Sequence, residues 1–395
     1  MAIARSLQEQ MKKTSWIRKM FEAGEALKER YGKDQVFDFS LGSPNLEPPE
    51  AFQSALRDLV NNPHPGMHRY MSNAGYASTR QAVAEVIGAQ EGVEIAPEDV
   101  VMTVGAAGAL NVALASILDP GDEVIILAPY FVEYLFYVHN HSGAVRVVQS
   151  TEDFDLDLRA IERAVNERTK ALIINTPNNP TGRIYSQEGL NALGELLVRV
   201  GNHRNKTIHL LVDTPYAKIT YDGLKNPLFF ASHPPTLLAH SHSKDLGLAG
   251  QRIGYLVINP RHPDREMLRT ACTVTNRTLG YVNAPALMQL ALERSLTASV
   301  DVSFYEKVRE VLCRGLAEAG YEFFQPQGAF YVFPKTPTPD DVAFTRELQK
   351  ENTLVVPGSG FGRAGYIRIA FCVSPDVVER ALPRFAKVIQ RVKNG

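Results

Sequence analysis

The chain has 395 residues and a formal net charge of −1, from 42 Lys and Arg against 43 Asp and Glu. This balance gives no electrostatic basis for binding nucleic acid or an anionic membrane, so we predict neither partner. The length exceeds what one hydrophobic core usually supports and predicts two domains. Because Cys272, Cys313 and Cys372 lie far apart in the sequence, we expect buried apolar thiols, no metal site and a reducing, cytoplasmic compartment.

Short apolar runs alternate with helical segments through the first two thirds of the chain. The runs that predict buried strands are residues 100–104, 124–128, 171–175, 209–213, 237–241 and 253–258. Residues 158–166 and 187–200 have the character of the helices expected between them. Such alternation predicts a layered α/β domain with a mostly parallel sheet.

The last third of the chain has a different pattern. Residues 284–296 and 302–319 show the three- and four-residue apolar spacing of amphipathic helices, and two further strands are predicted at 329–333 and 366–371. We therefore predict a smaller α+β domain built from residues 17–48 and 295–395, a large domain over 49–294, and an N-terminal arm over 1–16 that packs on a neighbouring subunit.

Polar residues follow or close three of the predicted strands, where ligands bind in parallel sheets. Lys244 comes just after one strand, where a charged lysine is costly to bury. A Schiff base would remove that charge, although an isolated lysine in a loop is usually solvated. Asp213 closes another apolar strand and needs a cation or several donors, which a pyridinium nitrogen would supply. The alternative for Asp213 is a helix N-cap.

Small residues from Gly105 to Gly108 follow a strand and open a predicted helix. Backbone N–H groups and the helix dipole make such a turn a seat for phosphate, although small residues also serve tight packing. Arg252 would add a fixed cation and Ser241 a hydroxyl donor. Tyr216 and Asn179 lie where they could reach a ring oxygen of the same ligand.

Four motifs occur in one order along the chain. They are Asn179-Pro180-Thr181-Gly182, Asp213-x-x-Tyr216, Ser241-x-Ser243-Lys244, and Arg252 in Gly250-Gln251-Arg252-Ile253-Gly254-Tyr255. In this order and spacing the chain resembles the fold-type I, class I/II aminotransferases, the aspartate aminotransferase-like superfamily. The resemblance runs from about residue 38 to residue 371 and implies a three-layer large domain.

The resemblance implies pyridoxal 5′-phosphate (PLP) as cofactor, bound to Lys244 as a Schiff base, with Lys244 also moving the substrate α-proton. Asp213 would pair with the ring nitrogen. The other implied cofactor contacts are Asn179 and Tyr216 at the 3-oxygen, the backbone of Ala106 and Ala107 with Ser241 and Arg252 at the phosphate, Phe131 stacked on the ring, and Tyr70 at the phosphate of a neighbouring subunit's cofactor. Phe131 and Tyr70 have plainer alternatives, as a core residue and a surface aromatic.

The resemblance also implies the substrates, which are an amino acid and a 2-oxo acid handled by a homodimer with shared active sites. Arg368 would hold the α-carboxylate, with Asn179 and the backbone of Gly42 beside it, unless Arg368 is a plain salt-bridge partner. Arg277 is hypothesised to reach a second carboxylate across the dimer, which favours aspartate, glutamate and 2-oxoglutarate, although an exposed arginine explains it equally well. Ala107 stands where some aspartate-specific relatives have a basic residue.

Other functions stay open at this point. An aromatic or broad-specificity aminotransferase, or a PLP lyase or decarboxylase, would share every cofactor residue. A non-catalytic PLP-binding regulator would carry a DNA-binding extension. A nicotinamide-dependent dehydrogenase would have an early GxGxxG, whereas the glycines at 358–362 come late in the chain.

Overall fold

A seven-stranded sheet forms the centre of the molecule in the computed structural model, which describes residues 3, 7, 8 and 15–394. Its strands are β2 (Val100–Thr103), β3 (Glu123–Ala128), β4 (Ala144–Gln149), β5 (Thr169–Asn175), β6 (His209–Asp213), β7 (Thr236–Ser241) and β8 (Gly254–Ile258), in the order β2-β8-β7-β6-β5-β3-β4. Strand β8 runs in the opposite direction to the other six strands of this sheet. The predicted α/β class with a mostly parallel sheet is therefore confirmed.

Helices cover both faces of this sheet because alternate strand residues point to opposite sides. Ile125 and Leu127 pack into one core and Val124 and Ile126 into another. The helices of this region are α2 (Glu50–Asn61), α3 (Ala77–Glu91), α4 (Gly105–Ile117), α5 (Glu133–Asn140), α6 (Leu158–Ala164), α7 (Gln187–His203), α8 (Phe229–Ser232), α9 (His242–Asp245), α10 (Arg265–Thr278) and α11 (Ala286–Glu293).

A separate core joins residues near both ends of the chain, such as Phe37 and Ile389. The elements in this part of the molecule are α1 (Ser15–Tyr31), β1 (Phe37–Asp38), α12 (Val302–Glu318), β9 (Tyr331–Val332), α13 (Asp341–Lys350), β10 (Thr353–Leu354), β11 (Val356–Pro357), β12 (Ile367–Ala370) and α14 (Pro375–Asn394). Tyr216 and Ile219 also contribute to it from the loop after β6. The boundaries 17–48, 49–294 and 295–395 stay a prediction, and most of the arm over 1–16 lies outside the described residues.

Several details differ from the sequence prediction. The edge strand β4 was not predicted, because its side chains are mostly half-buried rather than a continuous buried run. The predicted strands at 329–333 and 366–371 are shorter, at Tyr331–Val332 and Ile367–Ala370. The three cysteines are buried and free, as predicted. Among the described helices, none has both the length and the apolar character needed to cross a membrane.

Candidate active site

A cavity of about 340 Å³ opens at the carboxyl ends of β5, β6 and β7, between the central sheet and the second core. Most of the predicted site residues line it: Gly42, Ala106, Ala107, Phe131, Asn179, Asp213, Tyr216, Ser241, Lys244, Arg252 and Arg368. These residues are spread from position 42 to position 368. The fold thus gathers almost the whole predicted constellation in one place.

Lys244 lies on the short helix α9 that follows β7, with its side chain in the cavity. Its Nζ donates a 2.6 Å hydrogen bond to the carbonyl of Gly42. Burial lowers the pKa of the Lys244 ammonium from 10.5 to about 8, and the charges of Arg368 and Arg252 act in the same direction. The amine is consequently neutral in a useful fraction of molecules near neutral pH, as a nucleophile or a base requires.

Asp213 ends β6 and is almost fully buried. Its Oδ2 accepts a 2.5 Å hydrogen bond from the phenol of Tyr134, whereas Oδ1 is buried with no hydrogen-bond partner among the described residues. Burial raises the pKa of Asp213 to about 6. The chain after Asp213 forms a turn over residues 215–218, and the next helix begins only at Phe229, so the N-cap alternative is wrong. A protonated ring nitrogen would satisfy the free oxygen and stabilise its charge.

The start of α4 forms the expected anion seat. Gly105 has a φ of 80°, and a side chain there would meet both Nη2 of Arg252 and Oγ of Ser241 at 3.2 Å. Arg252 is held in place because its Nη2 donates to the carbonyl of Val104 at 3.1 Å. The helix N-terminus, the guanidinium and the hydroxyl converge on the small space that the glycine leaves, which suits a phosphate group.

Arg368 is buried on β12 and carries an uncompensated charge. Its Nη1 donates to Oδ1 of Asn179 at 3.0 Å and its Nη2 to the carbonyl of Ser40 at 2.6 Å, while Nε has no partner in the described part of the chain. Within the part of the chain that the structure describes, no carboxylate pairs with this guanidinium, so the salt-bridge alternative is wrong. A buried guanidinium without a counter-ion is prepared to bind a carboxylate ligand.

Comparison with known proteins identifies the family. Residues 34–385 match the sequence model of the family Aminotransferase class I and II. The chain belongs to this family. The aspartate/prephenate aminotransferase of Thermus thermophilus is 33% identical over 368 residues, which cover 92% of this chain and 93% of the relative. The aromatic-amino-acid aminotransferase 2 of Thermococcus litoralis is 30% identical over 396 residues, covering 97% and 98%.

Solved aminotransferase structures share the fold. An aminotransferase from Eubacterium rectale superposes with a TM-score of 0.95 at 35% identity and covers 99% of each chain. The aspartate aminotransferase of Thermus thermophilus with maleate gives a TM-score of 0.87 at 30% identity, covering 98% of this chain and all of that one. The protein is therefore an enzyme that transfers amino groups on the fold-type I scaffold, and the regulator and dehydrogenase alternatives are abandoned.

Several residues of the aminotransferase site escaped the sequence analysis. Tyr134 holds Asp213, and Asn175 donates to the Asp213 carbonyl at 2.9 Å. Tyr331 shares a 2.7 Å hydrogen bond between its hydroxyl and that of Tyr216. The position of Asn175 at the polar end of an apolar strand was an available signal. Nothing local in the sequence marks the two tyrosines, because their partners are distant in the chain.

Two predicted residues lie away from the cavity of this aminotransferase chain. Tyr70 is 91% exposed, beside residues 281–284, and Arg277 is exposed at the end of α10. Hydrogen bonds of Asn73 to the carbonyl of Val282, at 2.9 Å, and of Asn283 to that of Ser72, at 2.6 Å, hold the two segments together. Both predicted roles require a second subunit and stay predictions.

A buried polar cluster joins the end of β7 to α9. His240, His242 and Asp245 are arranged as metal ligands could be, but Nζ of Lys218 lies 3.5 Å from Oδ2 of Asp245 and already supplies positive charge. Burial opposes ionisation of Asp245, yet the two histidines outweigh it and hold its pKa well below the usual range. We interpret the cluster as a structural charge network next to Lys244.

Proposed function

We propose that this aminotransferase uses PLP on Lys244 to move an amino group between an L-amino acid and a 2-oxo acid, with acidic substrates favoured. The proposal rests on three groups that line one cavity and whose chemistry matches that of a cofactor and its substrate. Among the described residues, Asp213 presents a buried oxygen without a partner, Lys244 an amine with a lowered pKa, and Arg368 a guanidinium without a counter-ion. A cofactor with a ring nitrogen and an aldehyde, and a substrate with a carboxylate, would satisfy all three.

The residues present fit PLP. When bound, the cofactor supplies an aldehyde that condenses with an amine and a ring that accepts the electrons of a broken Cα–H bond. The start of α4, Arg252 and Ser241 would hold its phosphate, Phe131 would lie against its ring, and Tyr216 and Asn179 would contact its 3-oxygen. Asp213, supported by Tyr134, would keep the ring nitrogen protonated.

Lys244 would act both as the attachment point and as the proton carrier. Once the substrate amine has replaced it, Nζ is free to take the α-proton and to return it to the cofactor carbon. The carbonyl of Gly42 accepts a hydrogen bond from the same Nζ and so restrains the amine within the cavity. With PLP bound, water would release the 2-oxo acid and leave the amino group on the cofactor, and a second 2-oxo acid would accept that amino group in the reverse sequence, which completes a ping-pong cycle.

Arg368 would orient the substrate through its α-carboxylate, with Asn179 and the backbone of Gly42 on either side. The planar guanidinium permits two parallel hydrogen bonds, which fix the direction of the Cα–H bond relative to the ring. Phe361 and Tyr331 pack on the guanidinium with ring centroids at 4.7 and 4.8 Å from its Cζ. This packing keeps the Arg368 charge in place before substrate binds.

The names of the relatives support acidic substrates, since several act on aspartate and one was solved with the dicarboxylate maleate. Among the described cavity residues, Lys244, Arg252 and Arg368 are the cations, and each already has a task. We propose that Arg277 of a second subunit binds the distal carboxylate, and that Tyr70 reaches the neighbouring cofactor's phosphate. An aromatic or broad specificity is the second candidate, favoured by the match to an aromatic-amino-acid aminotransferase and by the cavity wall of Leu110 and Tyr137.

A half-reaction panel tests the proposal. The holoenzyme is mixed with single amino acids, and conversion of the bound cofactor to its amine form is followed by absorbance, with 2-oxoglutarate or oxaloacetate then added to restore the original spectrum. We expect aspartate and glutamate to convert the cofactor fastest. Continued consumption of the amino acid without a 2-oxo acid, with the original cofactor spectrum retained, would point to lyase or decarboxylase chemistry. Failure of the protein to bind PLP at all would refute the proposal.

A further inference from the structure

Tyr331 contacts three residues of the predicted site, Tyr216, Gly42 and Arg368. It lies on β9, whose partner β12 carries Arg368, and only 2% of the residue is exposed. Its hydroxyl and that of Tyr216 are 2.7 Å apart, and the two rings meet edge to face at 83°. The same phenol lies against Gly42, where any side chain would come within 2.6 Å of Cζ of Tyr331.

The number of protons determines which of the two hydroxyls donates. Each phenol carries one proton, and the proposed contact of Tyr216 with the 3-oxygen uses the proton of Tyr216. The guanidinium of Arg368 lies over the ring of Tyr331. Burial raises the pKa of both phenols and outweighs the opposing charge of Arg368, so both stay protonated. Tyr331 is therefore the donor within the 2.7 Å pair.

We propose that Tyr331 is a positioning residue that donates its phenol proton to the oxygen of Tyr216, so that the proton of Tyr216 points at the 3-oxygen of the cofactor, while the Tyr331 ring supports Arg368. This inference rests on the proposed use of PLP. Through Tyr331, strand β9 would influence the charge on the cofactor. The side chain of Tyr331 would then connect Arg368, which would hold the substrate carboxylate, to the cofactor ring.

A measurable consequence follows from hydrogen-bond cooperativity. A hydroxyl that accepts one hydrogen bond donates the next more strongly. Stronger donation by Tyr216 stabilises negative charge on the 3-oxygen, which lowers the pH at which the imine on Lys244 loses its proton. The other titratable groups near this pair are Arg368 and Cys372 beside Tyr331, Asp213 and Tyr134 beside Tyr216, and Lys244, which is reached through Gly42. None of them is changed by removing the Tyr331 hydroxyl.

The test is a pH titration of the visible absorbance of holoenzyme without substrate. Tyr331→Phe should move the midpoint upward by about 0.3 pH unit, a part of the larger rise expected for Tyr216→Phe. In a Tyr216→Phe background, Tyr331→Phe should add no shift. Tyr305→Phe is the matched control, since Tyr305 is buried in the same core and its hydroxyl faces the backbone of Asn45 and Leu46 rather than Tyr216.

The ring has its own test. Tyr331→Leu should weaken binding of the unreactive dicarboxylate maleate by about 5- to 30-fold, through loss of the cation–π contact, whereas Tyr331→Phe should bind maleate as the wild type does. Wild-type protein that binds no PLP would refute the proposed function itself. If the wild type is coloured but Tyr331→Phe leaves the midpoint of the pH titration unchanged, the role of the Tyr331 hydroxyl is overturned. The same holds if Tyr331→Phe shifts the midpoint equally in the Tyr216→Phe background. Unchanged maleate binding by Tyr331→Leu would overturn the role of the ring.

Discussion

The phenol of Tyr134 donates a 2.5 Å hydrogen bond to Oδ2 of Asp213, and the other oxygen of that carboxylate has no described partner. The carboxylate is thus held from one side and free on the side where a ring nitrogen would bind. Burial raises the Asp213 pKa to about 6 although the Tyr134 phenol and His240 lower it, so the phenol helps to keep the ionised form accessible near neutral pH.

Replacing Tyr134 by Phe should therefore weaken PLP binding. Leaving a buried carboxylate oxygen without a donor costs about 1–3 kcal/mol, which corresponds to a fall in affinity of roughly 5- to 150-fold. The PLP dissociation constant, measured by absorbance or dialysis, checks this. Tyr185→Phe is a suitable control, because Tyr185 is buried but its hydroxyl has no hydrogen bond among those of the described residues. Equal affinity in the two variants would show that the Tyr134 contact is unimportant for the cofactor.

The distance along the chain between contacting residues explains which features could be predicted from the sequence. Strand β6 was predicted to the residue, because a fully buried parallel strand is a continuous apolar run and Asp213 interrupts it. Strand β4 was missed because, as an edge strand, it leaves Val147 43% exposed. The contacts of Tyr134 with Asp213 and of Tyr331 with Tyr216 span 79 and 115 residues, so only the folded chain reveals them. Arg277 and Tyr70 need a second chain, which no property of one sequence supplies.

Lys244 should reduce the stability of the cofactor-free protein. Its pKa in the folded state, about 8, lies below the ordinary 10.5, so the fold disfavours the charged amine. The penalty is fully present below about pH 8 and disappears as the pH rises through 10.5, because the unfolded chain then also loses its proton. We expect Lys244→Met to raise the free energy of unfolding of the cofactor-free protein by roughly 1–3 kcal/mol at about pH 7, after allowing for the lost bond to Gly42.

Urea unfolding at two pH values checks this prediction. The gain from Lys244→Met should shrink toward zero, or reverse, at about pH 10. Lys225→Met serves as the control, because Lys225 is exposed and has no ion pair among the described residues; its effect should stay within about 0.5 kcal/mol at both pH values. A Lys244→Met variant that is less stable at both pH values would show that the lysine pays no burial penalty.

Gly42 should tolerate no side chain. A Cβ at this position would overlap the phenol of Tyr331, which is itself held by Tyr216. Gly42→Ala should either cost about 1–3 kcal/mol of stability or displace the segment whose carbonyl binds Lys244. Thermal unfolding together with PLP affinity distinguishes these outcomes. Gly250→Ala is the control, because a Cβ there has no neighbour within 4 Å, and both properties should stay unchanged.

Arg277 should determine the preference for acidic substrates if it acts in the site of a partner subunit. Because it is exposed at the end of α10 and lies outside the cavity of its own chain, its removal should leave the fold intact. We expect Arg277→Ala to lower kcat/KM for aspartate by about 10- to 100-fold, by loss of a charge-assisted hydrogen bond, and to leave phenylalanine unaffected. Arg314→Ala, another exposed helix arginine, should change neither rate.

Mixed dimers would show whether Arg277 acts across the interface. A dimer of one Lys244→Ala chain and one Arg277→Ala chain contains one site with an intact Lys244 and a partner that retains its Arg277. Random mixing makes about half of the dimers mixed, each with one complete site of two, so aspartate activity should recover to about a quarter of the wild-type value. If Arg277 acted within its own chain, no site in the mixture would be complete, and the aspartate rate would be about half that of the Arg277→Ala variant, because half of the chains lack Lys244. Equal aspartate-to-phenylalanine ratios for Arg277→Ala and the wild type would remove Arg277 from the substrate site altogether.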